Sequence, residues 1–264
     1  MKRTIENLAL VGCLLLIQGC TALDKSNSFT LTADLPPEFT YEAKAAYVPA
    51  KGETCTVPGR RDTKIGYNSG REKYKRDAEI LLRRTVSGCP LVLQSIDFYI
   101  YGWYGKARGD FGRDSALIVV REKLVEVKKG TFNAAGESEF AGQCQWLFRT
   151  AGKTRVLRKL LDCKRMDETG VQRKAKPFVA YTLDQLPGKT VKLKIKLADE
   201  ERPYMKDTWV KVPGGWKRCM GKGFEDQYAF CYGNYRDFST FRMPDGRDYC
   251  TIYPGCTENK AVTP

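Results

Sequence analysis

Apolar and polar residues alternate with period two along much of the chain. Between Lys189 and Leu197 the stretch KTVKLKIKL sets Val191, Leu193, Ile195 and Leu197 on one side and three lysines on the other. That pattern predicts a half-buried strand with a polar outer face. Ala116–Val120 followed by Leu124–Val127 predicts strand, short break, strand. Leu91–Tyr104 (LVLQSIDFYIYGWY) is rich in β-branched and aromatic residues, which suit a pleated surface. Glycines at 102, 105, 109 and 112, Pro213-Gly214-Gly215 and Met243-Pro244-Asp245-Gly246 punctuate the pattern as turns. No amphipathic stretch of three helical turns occurs. Short strands with regular turns predict a mainly β chain, sandwich-like or barrel-like.

The two ends depart from this pattern. Met1-Lys2-Arg3 and the ten-residue apolar run Leu8–Ile17 have the make-up of a secretory signal peptide over 1–19. The run falls short of the roughly 20 residues a membrane-spanning helix needs. It ends in Leu16-Ile17-Gln18-Gly19-Cys20, which resembles the lipobox of bacterial lipoproteins, where the cysteine becomes the lipidated first mature residue. That resemblance implies a palmitate-bearing Cys20. With Thr21 in place of the inner-membrane retention signal Asp, it also implies the periplasmic face of the outer membrane. Residues 20–37 lack a clear period and read as a flexible tether able to extend on the order of 50 Å. Residues 38–199 form the β-rich domain. Beyond Asp199-Glu200-Glu201-Arg202-Pro203 aliphatics become scarce while Tyr and Gly are abundant. Four cysteines fall there, so 200–264 reads as a small disulfide-stapled subdomain.

Export changes the meaning of the cysteines. Eight remain after Cys13 and Cys20: Cys55, Cys89, Cys144, Cys163, Cys219, Cys231, Cys250 and Cys256. An even number in an oxidising compartment predicts disulfides, with sequential neighbours the simplest pairing. Zinc would favour Cys-x-x-Cys pairs, and none occurs. Cys250–Cys256 would close a tight loop and Cys219–Cys231 a hairpin. One pair follows from register. If QCQWLFRTAGKTRVLRKLLDCK (143–164) turns at Lys153-Thr154, Cys144 faces Cys163, Trp146 faces Leu161, Phe148 faces Lys159 and Thr150 faces Leu157. Opposed Cβ atoms in such a ladder are about 4.5–5.5 Å apart, close to what a disulfide needs. A helix through Arg155–Cys163 would also gather Val156, Leu157, Leu160 and Leu161, but it gives Cys163 no evident partner. The hairpin leaves the six basic residues of the stretch on a solvated strand edge.

The chain has no histidine. This excludes Ser-His-Asp and Cys-His catalysis and imidazole zinc sites. No serine has Lys three residues on, and no Gly-x-Ser-x-Gly elbow or phosphate-binding loop is present. Acidic neighbours such as Glu137/Glu139 and Glu200/Glu201 read as solvated loop residues, while glycosidase-type acid–base chemistry stays open, because its carboxylates need not be near in sequence. No enzymatic activity, cofactor, metal or small-molecule substrate is expected. The net charge of +14 falls to +13 without Lys2, Arg3 and Glu6. In an exported lipoprotein that surplus points to anionic surfaces or an acidic protein rather than nucleic acid. Basic residues are densest over Arg60–Arg84, where a solvated loop and strand face is the plainer reading. In the aromatic run Phe98–Tyr104, alternate rings belong in a core. Trp103 and Tyr104, just past the strand, are expected at the surface. With Lys106 and Arg108 they make the candidate partner-binding group, because Trp, Tyr and Arg dominate binding hot spots.

Two blocks, CPLVLQSIDFYIYGWYGKARGDFG (Cys89–Gly112) and GESEFAGQCQWLFRTAGKTRVLRKLLDC (Gly136–Cys163), are similar to the small immunity lipoproteins that accompany phospholipase effectors of bacterial type VI secretion systems. The resemblance implies an outer-membrane-tethered protein that binds and neutralises a lipase in the periplasm. The residues alone leave open a structural or assembly lipoprotein of the envelope, for example a wall-binding or secretion-apparatus component.

Overall fold

Strands make up almost all regular structure in the computed structural model, which describes residues 25–60, 63–68, 74–125 and 129–257. The signal peptide and Cys20 lie outside the described residues, as do Arg61, Arg71, Lys73 and Val127. One sheet contains β1 (Ser28–Asp34), β4 (Asp77–Leu81), β8 (Glu137–Ala151), β9 (Val156–Met166), β11 (Thr190–Leu197) and the short β12 (Arg202–Pro203). Its order is β9-β8-β11-β1-β4, and β12 pairs with β8 beyond the end of β11. The second sheet contains β2 (Phe39–Pro49), β3 (Lys64–Tyr67), β5 (Arg83–Val86), β6 (Cys89–Trp103), β7 (Phe111–Arg121) and β10 (Phe178–Thr182). It runs β10-β7-β6-β2-β3, with β5 on the start of β6. A third, small sheet of β13 (Trp209–Val212), β14 (Gly215–Cys219) and β15 (Phe238–Ser239) forms the C-terminal part.

The two large sheets are curled against each other as a sandwich or half-barrel. At one corner the chain passes from β4 to β5 through Leu82, whose N–H donates to Asn27 O just before β1 of the first sheet while its C=O accepts from Leu93 N in the second. Elsewhere Tyr181 on β10 donates its hydroxyl to Ser138 Oγ on β8 at 2.7 Å, again between sheets. The core follows the period-two pattern: Leu31, Tyr41, Ile80, Ile96, Phe98, Ile118, Val191 and Leu193 are all buried. The buried hydroxyls are satisfied, Tyr41 donating to Arg76 O and Tyr47 to Leu81 O. That is what keeps such rings from costing stability.

The 143–164 hairpin has the expected register. Cys144 pairs with Cys163, Trp146 with Leu161, Phe148 with Lys159 and Thr150 with Leu157. All four disulfides join sequential cysteines: Cys55–Cys89, Cys144–Cys163, Cys219–Cys231 and Cys250–Cys256. One face of this hairpin feeds two cores. Trp146 and Leu161 enter the sandwich, whereas Phe148 and Leu157 pack with Trp209, Phe241, Met243, Cys250 and Tyr253 in the C-terminal part. Main-chain bonds hold both flanks, Tyr204 N to Phe148 O on one and Leu157 N to Arg242 O on the other.

Four expectations need correction. The tether does not extend to Pro37, because Ser28–Asp34 is the interior strand β1, parallel to β11 and antiparallel to β4. Phe29, Leu31 and Ala33 alternate inward with period two. Full burial of Phe29 and Leu31 is worth roughly 1.5–3 kcal/mol each, which holds the segment down. Gly102 and Gly112 are not turn residues. They pair with each other within β6 and β7, on the core face beneath Trp146. Leu124 and Val125 form no strand, and Val125 is exposed. Finally, Cys219–Cys231 closes an irregular loop of turns, since β14 pairs with β13 and β15.

Candidate partner-binding surface

On β6 the core takes Ile96, Phe98 and Ile100, so alternation sends Tyr99, Tyr101 and Trp103 outward. Their cross-strand neighbours build a patch on the outer sheet face. Trp103 pairs with Phe111, Tyr101 with Arg113 and Thr40, and Tyr99 with Ser115 and Glu42. The rings of Trp103 and Phe111 lie 5.2 Å apart and those of Tyr101 and Phe111 5.7 Å apart. Lys44 and Arg113 sit 5.0 and 5.6 Å from the centre of the Tyr99 ring. Tyr101 also donates to Glu42 Oε2 at 3.3 Å. Such cation and ring contacts hold long side chains in place, lowering the entropy lost when a partner packs on them.

The candidate group divides here. Strand β6 continues through Trp103, so Trp103 joins the outer patch while Tyr104 turns inward. Tyr104 meets Trp146 edge-on at 5.6 Å and packs against the sandwich core. Neither ring is the freely exposed residue expected just past a strand end, and both are half-buried. Lys106 and Arg108 do project from the β6–β7 turn and are exposed. That turn is fixed by Asp110, which is buried, accepts from Ala107 N and forms an ion pair with Arg158 on β9 at 3.0 Å. The Arg60–Arg84 group is spread over several elements: Arg60 in a turn, Lys64 on β3, and Arg83 and Arg84 on β5. Arg84 lies over the Tyr47 ring.

The C-terminal part carries a second surface. Arg155, at the tip of the 143–164 hairpin, is not on a solvated edge; it is 1 % exposed, and Arg218 on β14 is 2 % exposed. Carbonyls take most of their N–H groups. Arg218 donates from Nε to Thr150 Oγ1 at 2.9 Å, from Nη1 to Thr208 O at 2.6 Å and Ala229 O at 2.9 Å, and from Nη2 to Tyr228 O at 2.6 Å and Gln227 O at 3.4 Å. Arg155 donates to Cys219 O, Met220 O, Gly223 O and Ser239 Oγ. Burial lowers the pKa of both guanidinium groups, that of Arg218 to about 10 with the neighbouring Arg155 charge adding to the effect. Arg218 therefore stays cationic near neutral pH. The segment between Cys219 and Cys231 is thus wrapped around two fixed cations and closed by a disulfide. Asp226 tightens it further by accepting from Lys222 N and Ala229 N.

This segment and the residues just after it turn Phe224, Tyr228, Tyr232 and Tyr235 to solvent. Phe230 stacks on Tyr228 at 6.2 Å and meets Tyr232 edge-on at 5.9 Å. Abundant Tyr and Gly beyond residue 202 was the only sequence signal for it. The buried arginines that organise it left none, because basic residues are expected outside.

No protein-family model, curated protein or solved structure matches the chain. Among the described residues no group of three or more His, Cys, Asp or Glu side chains is placed to hold a metal ion. The acidic neighbours singled out in the sequence have structural engagements. Glu139 pairs with Lys194, while Glu201 takes Lys159 at 2.6 Å and the Tyr253 hydroxyl.

Proposed function

We propose that the chain is a binding protein: a lipoprotein anchored through Cys20 at the periplasmic face of the outer membrane, which neutralises a type VI secretion lipase by occluding it. The observation that carries this reading is the rigid aromatic and cationic face around Trp103, Tyr101, Phe111 and Arg113, with Lys106 and Arg108 at its end. Aromatics held in place supply contact area at little entropic cost, and nearby cations steer an acidic partner into encounter. A lipid anchor would raise the local concentration of the inhibitor at the membrane under attack. The resemblance of Cys89–Gly112 and Gly136–Cys163 to immunity lipoproteins supports the same reading.

The first test is whether a lipase is encoded beside the gene; a neighbourhood of envelope-assembly genes would count against the reading. The second is co-expression with that lipase, exported to the periplasm. Cells lacking this protein lyse, and cells carrying it survive with a complex recoverable from the envelope. Association slows as salt rises, since steering is screened. Survival that depends on one particular carboxylate, with no complex formed, would replace binding by catalysis. A chain that neither binds nor protects would favour an envelope assembly role. Labelled palmitate should enter the wild type and be absent from Cys20→Ser; equal labelling would remove the anchor.

A further inference from the structure

The proposed function leaves the second surface unused. Three features of the Cys219–Cys231 segment bear on what it meets. The first is rigidity: the disulfide, the Asp226 turn and ten hydrogen bonds from Arg155 and Arg218, seven of them to carbonyls of this segment, fix its path before any partner arrives. The second is projection: Gly223 and Gly233 have nothing within 4 Å of where a Cβ would stand, and Tyr228 is 63 % exposed. The third is charge. From Cys219 to Asp237 there are two basic residues, Lys222 and Arg236, against three acidic ones, Glu225, Asp226 and Asp237. On a chain with net charge +14 this stretch is close to neutral.

Those features discriminate between occupants. An anionic lipid surface or a nucleic acid would call for clustered Lys and Arg here, and the two exposed cations, Lys222 and Arg236, are offset by three carboxylates. A prefixed, near-neutral aromatic edge suits an apolar concavity in a protein. Beside the projection lies a recess of about 540 Å³ whose lining mixes Met205, Trp209 and Tyr228 with the charged Arg149, Glu225 and Asp226. The recess can receive the rim of the structure that the projection enters. The indole Nε1 of Trp209 in this lining has no hydrogen-bond partner among the described residues.

We propose that Phe224, Tyr228, Phe230 and Tyr232 form a plug that enters the apolar substrate cleft of the partner enzyme. This inference rests on the lipase reading and names the contact that does the blocking. A lipase must bind acyl chains, so its cleft is apolar, and a near-neutral aromatic edge fills it better than the basic sandwich does. The outer face around Trp103 and Lys106 then serves encounter and orientation, while the plug denies access to substrate.

The experiment measures binding of the full-length chain, in detergent, to the lipase encoded beside the gene, alongside protection of cells expressing both. The triple variant Phe224→Ala/Tyr228→Ala/Tyr232→Ala should bind about thirtyfold more weakly or worse, the scale of losing one or more hot-spot residues, and should fail to protect. Tyr228→Glu should also bind weakly while keeping the wild-type melting temperature, because its side chain already stands in solvent. A lipase whose cleft is filled by a covalently attached long-chain phosphonate should not bind the wild type. Wild-type affinity in the triple variant and in Tyr228→Glu overturns the plug and leaves the proposed function standing. Loss of association with phosphatidylglycerol vesicles in those variants, with lipase binding unchanged, makes the segment a membrane contact and also overturns it. If the unaltered chain neither binds the lipase nor protects, both readings fall.

Discussion

Replacing Arg218 with Met tests whether the C-terminal part is organised around a buried cation. The side chain keeps much of its bulk and loses all five donated hydrogen bonds. Their worth is uneven. Gln227 O and Tyr228 O belong to the projecting loop, so water can replace the guanidinium there. Ala229 is 0 % exposed and its carbonyl has no comparable substitute, whereas Thr208 O keeps the N–H of Cys219. One stranded buried carbonyl costs about 1–3 kcal/mol, and Thr208 O loses one of its two donors. The Thr150 hydroxyl can turn to another acceptor, and removing a desolvated charge returns part of the loss. The net expectation is a destabilisation of about 2–4 kcal/mol. Arg218→Lys keeps the charge with three donors and should lose less. Urea unfolding followed by tryptophan fluorescence reads the total, and hydrogen exchange locates it. The amides of Ala229 and Cys231, bonded to Asp226 Oδ1 and Asp207 O, should lose protection while those of β2 and β6 keep it. A loss below about 1 kcal/mol with loop protection intact would refute the reasoning.

Gly112→Ala places a Cβ 2.5 Å from the Trp146 ring and 2.9 Å from Leu161 N, so it should destabilise the sandwich by about 1–3 kcal/mol in thermal or urea unfolding; wild-type stability would mean the two hairpins are not in close contact. Cys144→Ala/Cys163→Ala should cost roughly 2–4 kcal/mol, and non-reducing peptide mapping of the wild type should recover the two cysteines linked. Asp167, bonded first by the Thr169 side chain and then by Val171 N and Arg173, titrates low, at about 2. Its folded value is depressed, so its contribution is present above the unfolded carboxyl pKa and lost as pH falls towards 2. A carboxyl-carbon NMR titration should place its midpoint well below 3.8, and an ordinary midpoint would show the turn to be loose.

The strands that carried a clean period, Lys189–Leu197 and the 143–164 hairpin, were legible because alternation over eight or more residues fixes both the face and the register. The disulfide Cys144–Cys163 followed from that register alone. Strand β1 escaped notice because its three inward residues are too few to stand out beside the polar and proline-containing segments around it. Gly102 and Gly112 misled because nothing local distinguishes a turn glycine from one that lets a ring from another sheet sit close to the backbone. Trp103 and Tyr104 hung on where β6 ends, and a shift of two residues decides which ring meets solvent. Arg155 and Arg218 were illegible in principle, since their surroundings are assembled from carbonyls distant in sequence.

The early start of β1 sets how near the folded body can be to its anchor. In the proposed lipoprotein the leash runs only from Cys20 to Lys25, because Asn27 is already tied to Arg83 through its side-chain amide. Five residues reach at most roughly 17 Å, a third of the reach expected of a tether ending at Pro37. If Cys20 carries the lipid, such a body could not sweep freely through the periplasm. It would ride against the lipid headgroups with the β1 and β5 end held towards them, and the direction in which its other faces look would be fixed as much by the length of that leash as by the fold itself.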